Sequence, residues 1–484
     1  MRYNMIFPLG ERKNSFIRYA ARRRKVQDMR IIVCGCGKIG STILASLVKE
    51  GHDVVALDNS QEVITEITNV YDVIGVVGNG ADYETLEEAG VDKTDLFISV
   101  TPSDERNMLA CFLARKMGAK HTIARIRNPE YNDNSLGFMR QQLELSMSIN
   151  PELLAAEELY NILKLPSAVK IEKFSRRAFE MIEVRLKPDS PLDGMKLIDL
   201  RAKYKAKFLI CAVQREDEVF IPDGNFVLKS GDRVGITASP AEAQKLFREL
   251  GLFERQARSV MILGGSRTAY YLAKMLTNAG SDVRIIERDR ALCEELCDLL
   301  PKAVIVNGDG AHQELLMEEG LSSVDAFAAL TGMDEENILI SIFAASRNVP
   351  KVISKVNRDE LESMAERLGL DTIVSPRRII SDVLVQYARA LQNSLGSHIE
   401  TLYNLMDDQA EALEFRVGAD FRGIGIPLKD LQIKRGILIA GIVHNRVPLI
   451  PAGADVISAG DMVIVISKKD ASGHSLGDLS DILR

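Results

Sequence analysis

The stretch Arg30-Ile31-Ile32-Val33-Cys34-Gly35-Cys36-Gly37-Lys38-Ile39-Gly40 decides the fold. An apolar run of strand length leads straight into glycines spaced G-x-G-x-x-G, after which Ile43, Leu44, Leu47 and Val48 recur at helical spacing. A second run, Asp53-Val54-Val55-Ala56-Leu57, stops at Asp58. Strand, glycine turn, helix, strand and terminal acid is the order of a dinucleotide-binding βαβ unit. Gly35 permits the tight turn, Gly37 leaves room for a pyrophosphate, and Gly40 lets helix and strand pack closely, with Cys36, Lys38 and Ile39 completing the cradle. Amides at the start of the helix face the phosphates. Asp58 is placed to accept hydrogen bonds from both ribose hydroxyls. With no arginine beside it, its charge disfavours a 2′-phosphate, so NAD or NADH is expected over NADP.

The same unit occurs twice, at an offset constant to within one residue. Val260-Met261-Ile262-Leu263 leads into Gly264-Gly265-Ser266-Arg267-Thr268-Ala269, then Asp282-Val283-Arg284-Ile285-Ile286 and Glu287. The likeness extends well past the motif, since Gly78-Asn79-Gly80-Ala81-Asp82 matches Gly308-Asp309-Gly310-Ala311-His312. Thr101-Pro102-Ser103-Asp104-Glu105-Arg106-Asn107 likewise matches Thr331-Gly332-Met333-Asp334-Glu335-Glu336-Asn337. In the second copy Ser266 replaces the middle glycine and its Cβ is expected to crowd a pyrophosphate. Ala269 is tolerable in place of the third glycine, Glu287 keeps the ribose acid, and Arg288 is placed to stack on adenine. Thr101 and Arg125 fall at the carboxyl ends of strands, the edge where open α/β sheets bind ligands, and are candidate phosphate or ribose contacts. A helix cap and a surface ion pair are the alternative roles for these two residues.

A chain of 484 residues exceeds what one hydrophobic core usually serves, and the repeat divides it into two pairs of modules. Its 46% hydrophobic and 27% charged residues include no apolar run near the roughly 18 residues a membrane helix needs, so no direct membrane insertion is expected. A net charge of −7 argues against a general nucleic-acid binder, which carries a basic face for phosphates. Six cysteines without zinc spacing read as reduced thiols. Residues 1–28 are strongly basic. They read as a disordered leader, or as sequence upstream of a start at Met29, with a basic arm for an anionic membrane surface as the alternative.

Apolar strands alternating with helices predict an α/β fold with parallel sheets covered on both faces. The expected architecture is two Rossmann-like doubly wound domains, 29–165 and 258–397, each followed by a small α+β domain, 166–257 and 398–484. Helices at Pro151–Leu165 and Ser381–Leu391 leave the nucleotide folds, and such exit helices commonly pack on a second subunit. The small module contains no catalytic cluster. The histidines are scattered, and none pairs with a carboxylate in an active-site-like setting. Cys293 and Cys297 are four apart on a helix and read as a packed face rather than a metal site.

Taken together, the Gly35-x-Gly37-x-x-Gly40 turn, Asp58, Gly78-Asn79-Gly80-Ala81-Asp82, Thr101-Pro102-Ser103-Asp104-Glu105 and the small β-rich module resemble the regulator-of-potassium-conductance (RCK, or KTN) domains. Two such pairs in one chain are similar to the NAD-binding regulatory subunits of bacterial Trk potassium uptake systems. The resemblance covers Met29 to Arg484. It implies no enzyme but a peripheral protein on the inner face of the cell membrane, assembled as a homo-oligomeric ring, gating a potassium-translocating membrane subunit of the TrkH/TrkG type. It further implies that Gly35 to Gly40 hold the pyrophosphate and Asp58 the ribose, while Asn79, Thr101, Pro102 and Arg125 contact the rest. Gly264, Gly265, Ser266, Arg267, Glu287 and Thr331 are the second set. Two unequal sites would let NAD(H) and ATP or ADP bias the gate separately. The alternative is an NAD-dependent oxidoreductase with one cofactor and one substrate domain, against which the lack of a catalytic base counts.

Overall fold

The computed structural model describes residues 29–483 apart from 130, 132, 166–167, 175–177, 189, 217, 252–256, 394–398, 407–408, 469–475 and 477. The basic stretch 1–28, His398 and His474 lie outside the described residues. Two compact units form: one runs to Pro151 and takes in Arg377–Ala388, and the other holds Glu152–Pro376 with the chain from Arg389 onward.

In the first unit, β1 (Arg30–Cys34), α1 (Lys38–Lys49), β2 (Asp53–Asp58), α2 (Gln61–Val70) and β3 (Ile74–Val77) make one half of a doubly wound fold. After α3 (Tyr83–Glu88), β4 (Leu96–Ser99), α4 (Asp104–Lys116), β5 (His121–Arg125), α5 (Asp133–Gln142) and β6 (Met147–Ile149) make the other half. The strands lie in the order β3-β2-β1-β4-β5-β6. All neighbours are parallel; Ile31, for example, pairs with Val54 on one side and Leu96 on the other. Helices on both faces bury these strands, which is why Ile31 to Val33 and Leu96 to Ile98 are apolar throughout and fully shielded. The order reverses between β1 and β4, so the loops after these two strands diverge and leave a crevice.

The second nucleotide fold repeats this topology over Ser259–Leu263, Asp282–Glu287, Val304–Asn307, Ala326–Ala329, Lys351–Lys355 and Ile373–Val374. Each small module is a five-stranded antiparallel sheet. One includes the strand Lys170–Phe174, and the other its counterpart Ile399–Leu405; neither is evident in the sequence. The two small sheets share a core that includes Phe179, Met181, Cys211, Leu405, Met406 and Ile466. Glycine makes this approach feasible on both sides. A Cβ on Gly235 would lie 2.9 Å from Met406 Cε, and one on Gly441 3.1 Å from Phe179 Cε2.

The exit helices fall in different units from the folds they leave. The Arg377–Ala388 stretch of the helix Pro376–Asn393 belongs to the first unit, where Ser381 Oγ meets Ser46 Oγ at 2.8 Å. The first fold's exit helix α6 (Pro151–Lys164) belongs, from Glu152 on, to the other unit. The second exit helix thus contributes Arg377–Ala388 to the unit of the first nucleotide fold, with Ile380, Leu384 and Ala388 buried.

Among the described residues His444 is paired with a carboxylate. His444 Nδ1 lies 2.7 Å from Asp461 Oδ1, where the first module has Arg215 Nε donating to Asp232 at 2.8 Å. Asp461 and Asp232 also accept the amides of Ser458 and Lys229, so these pairs brace a turn and form no catalytic centre. Cys293 is buried but Cys297 is exposed, so the two do not form a packed face together. Among the described residues no cluster suited to a metal ion occurs.

Candidate nucleotide-binding site

The crevice between β1 and β4 opens into a cavity of about 320 Å³ in the first fold. Its wall includes Gly35, Asp58, Asn79, Thr101 and Pro102, five of the residues expected from sequence. Gly35 sits at φ +88°, and a Cβ there would lie 2.8 Å from Thr101 N, so only glycine turns the chain this close to the second strand end. A Cβ on Gly40 would come within 1.8 Å of the Gly35 carbonyl oxygen, which fixes helix against turn. Gly37, the residue before α1, has nothing within 4 Å of where its Cβ would be, and no side chain caps that helix. The amides opening α1 are thus left for an anion, and the vacant volume beside Gly37 is where a pyrophosphate would lie. The cradle fits a dinucleotide.

Asp58 organises this turn as well as facing the cavity. Its Oδ2 accepts from Cys36 N at 2.7 Å and its Oδ1 from Ser60 N at 2.9 Å, leaving each oxygen a further lone pair for a ribose hydroxyl. The Cys36 amide therefore faces Asp58 rather than a phosphate, and its buried thiol donates to Val33 O. Lys38, Ile39 and Gly40 form the first turn of α1 and lie outside the cavity wall. Cys34 lies beneath the ligand space, its thiol pushed up to about 12 by burial.

The Thr101 to Asn107 segment is mainly a brace. Asn107 is wholly buried, and its Oδ1 accepts from Ser99 Oγ, Thr101 N and Thr101 Oγ1 at 3.0, 2.8 and 2.7 Å. Its Nδ2 donates to Thr101 O and Arg125 O at 3.1 and 2.9 Å, tying the ends of β4 and β5 together. Asp104 accepts the amides of Arg127 and Asn128, both at 2.8 Å. Arg125 is buried, 8% exposed, and points its Nη1 toward Val100 O at 3.4 Å; it is not among the residues that line the cavity. Sequence reading passed over Arg106, which lines the mouth from the first turn of α4.

The second fold reproduces the turn. Glu287 Oε2 accepts from Gly265 N at 2.6 Å and Oε1 from Asp289 N at 2.8 Å, and Gly264 sits at φ +93° with its virtual Cβ 3.0 Å from Thr331 Cα. Asn337 holds Thr331 as Asn107 holds Thr101, accepting from Thr331 N at 3.0 Å and Oγ1 at 2.8 Å. The cradle differs at Ser266, whose Oγ caps its own helix by accepting from Ala269 N at 3.4 Å. Arg267 is exposed at the first helical position, and Ala269 is buried without displacing the helix.

The TrkA-N domain matches residues 31–138 and again 260–376, and the TrkA-C domain matches 181–251 and 412–474. The chain belongs to the TrkA family. Trk system potassium uptake protein TrkA homolog 1 of Methanosarcina mazei is 32% identical over 454 residues, spanning 92% of this chain and 99% of that protein. The Trk system potassium uptake protein TrkA of Vibrio alginolyticus is 29% identical over 452 residues, spanning 92% and 97%. The crystal structure of the GsuK RCK domain superposes with a TM-score of 0.60 at 16% identity, covering 94% of this chain and 97% of that one. The GsuK channel bound to NAD gives 0.61 at 15% identity, covering 93% and 80%. Both share the fold. Family membership places the chain among potassium uptake proteins rather than among enzymes, and no helix among the described residues is long and apolar enough to cross a membrane.

Proposed function

We propose that this TrkA-family chain is the nucleotide-sensing regulatory subunit of a Trk-type potassium uptake system, with NAD or NADH as the ligand of the first fold. The observation that carries the reading is the open cavity bounded by Gly35 and Asp58, sited at the sheet's switch point, on the turn that leads into a helix with no side-chain cap. ATP and ADP share the adenosine diphosphate part of NAD and compete for the same cavity. A ligand moves a gate only through its different affinity for two conformations, so exchange of these nucleotides biases a membrane potassium-translocating subunit of the TrkH/TrkG type. The subunit works as a homo-oligomeric ring, peripheral on the inner face of the cell membrane.

Calorimetry of the full chain with NAD, NADH, NADPH, ATP and ADP tests this, with Asp58→Ala alongside. Binding of NADH without its consumption, lost in Asp58→Ala, is the expected result. Turnover of NADH with a small metabolite, or undiminished affinity in the variant, refutes the assignment.

A further inference from the structure

The two nucleotide folds share a backbone and differ in charge. In the first cavity the charged wall residues are Asp58 and Arg106, one of each sign. The Arg106 backbone amide donates to Ser103 Oγ at 3.2 Å, but among the described residues its guanidinium meets no hydrogen-bond or ion-pair partner. A fork of five donors, unengaged at a cavity lined by the Gly35 turn and Asp58, matches a phosphate.

The residue at the same place in the second fold is Glu336, whose Oε2 lies 3.5 Å from Thr331 Oγ1. Asn79 is likewise replaced by Asp309, and Asn59 by Arg288. The aligned wall therefore sums to two negative charges where the first is neutral. The Ser266 cap engages one of the amides that an anion would need. Bulk changes too: Cys34 and Ala110, both at the first cavity, correspond to Leu263 and Ile340.

We propose that Arg106 is the residue that selects a phosphate-bearing ligand in the first fold, and that Glu336 with Ser266 bars phosphate from the second, so that each chain holds one nucleotide. The proposal rests on the nucleotide-sensing reading above and departs from the expectation of a separate adenine nucleotide at Glu287. In this arrangement the second fold is a partner in conformation and not a second sensor, and NAD(H) and ATP or ADP act by displacing one another.

The test is titration of the full chain with NADH and, separately, with adenosine, which keeps the ribose and base but carries no phosphate. Wild type is expected to bind one NADH per chain. Arg106→Glu should weaken NADH by about tenfold to a hundredfold, the range for losing a charge-assisted hydrogen bond, while adenosine changes by less than about twofold. The double variant Ser266→Gly/Glu336→Arg should raise the stoichiometry toward two. A wild type that takes two NADH, one of them lost in Glu287→Ala, overturns the proposal, as does an Arg106→Glu variant that binds NADH undiminished or weakens both ligands alike. Wild type that binds no NADH at all defeats the sensing reading itself, an outcome distinct from one NADH bound indifferently to Arg106.

Discussion

Replacing Asn107 by Asp tests the brace beneath the site with almost no change of shape. The amide orientation is fixed by its partners, since Oδ1 faces the Thr101 amide, a pure donor, and Nδ2 faces two carbonyls. Aspartate keeps the three accepted bonds but leaves Thr101 O and Arg125 O without their donor, inside a side-chain environment that is fully shielded. At about 1–3 kcal/mol for each buried group left unsatisfied, the cost is about 2–6 kcal/mol. Its pH dependence has a definite sign. The introduced carboxyl can donate to one carbonyl only when protonated, so its folded-state pKa is raised above the unfolded value of about 3.9. The deficit is therefore least below that pH and grows as pH rises through the folded pKa. Because the chain has no tryptophan, urea unfolding is best followed by far-ultraviolet circular dichroism at pH 5 and pH 8. Asn337→Asp, with the matching bonds to Thr331 O and Lys355 O, should lose comparable stability without affecting NADH binding. An Asn107→Asp protein within about 0.5 kcal/mol of wild type at pH 8 would refute the reasoning, because surface substitutions reach that much.

Two further outcomes are expected. Arg233 is buried and bonds Glu183 through Nε at 2.7 Å, so Arg233→Ala should cost about 3–5 kcal/mol by stranding that carboxylate, measurable as an earlier urea transition. Burial pushes the Cys34, Cys36, Cys111 and Cys211 thiols up while Cys297 is exposed; native protein at pH 8 should therefore incorporate one equivalent of a maleimide quickly, at Cys297 by peptide mapping, and rapid labelling of Cys34 would contradict the packed floor.

What was legible in the sequence was whatever depends on neighbours along the chain. The turn at Gly35, the acid closing β2 and their second copies follow from local backbone demands, and both appear where the motif places them. The helix α4 starts at Asp104, ahead of the apolar positions that mark it in the sequence, because its first turn is polar and is set by the Ser103 cap, which apolar periodicity does not register. Arg106 sits in that same turn and was overlooked for the same reason. Arg125 ends β5 where expected, while the reach of its guanidinium to Val100 O is set by the tertiary environment and has no local signal. The strand Lys170–Phe174 sits at a sheet edge and breaks alternation at the adjacent charges Glu172 and Lys173, and the place of Arg377–Ala388 depends on partners such as Ser46, far away in the chain; neither carries a local signal.

The shared core of the two small sheets has an evolutionary corollary. In a dimer of identical chains every surface must serve both sides of a contact, so a glycine that admits a neighbour's side chain must be matched by that side chain on the same sequence. Joining the copies in one polypeptide removes that constraint and keeps them together at any dilution, since their encounter is intramolecular. Gly235 need only accommodate Met406, and Gly441 only Phe179. Each half is then free to differ from the other in what it recognises without disturbing the contact that joins them.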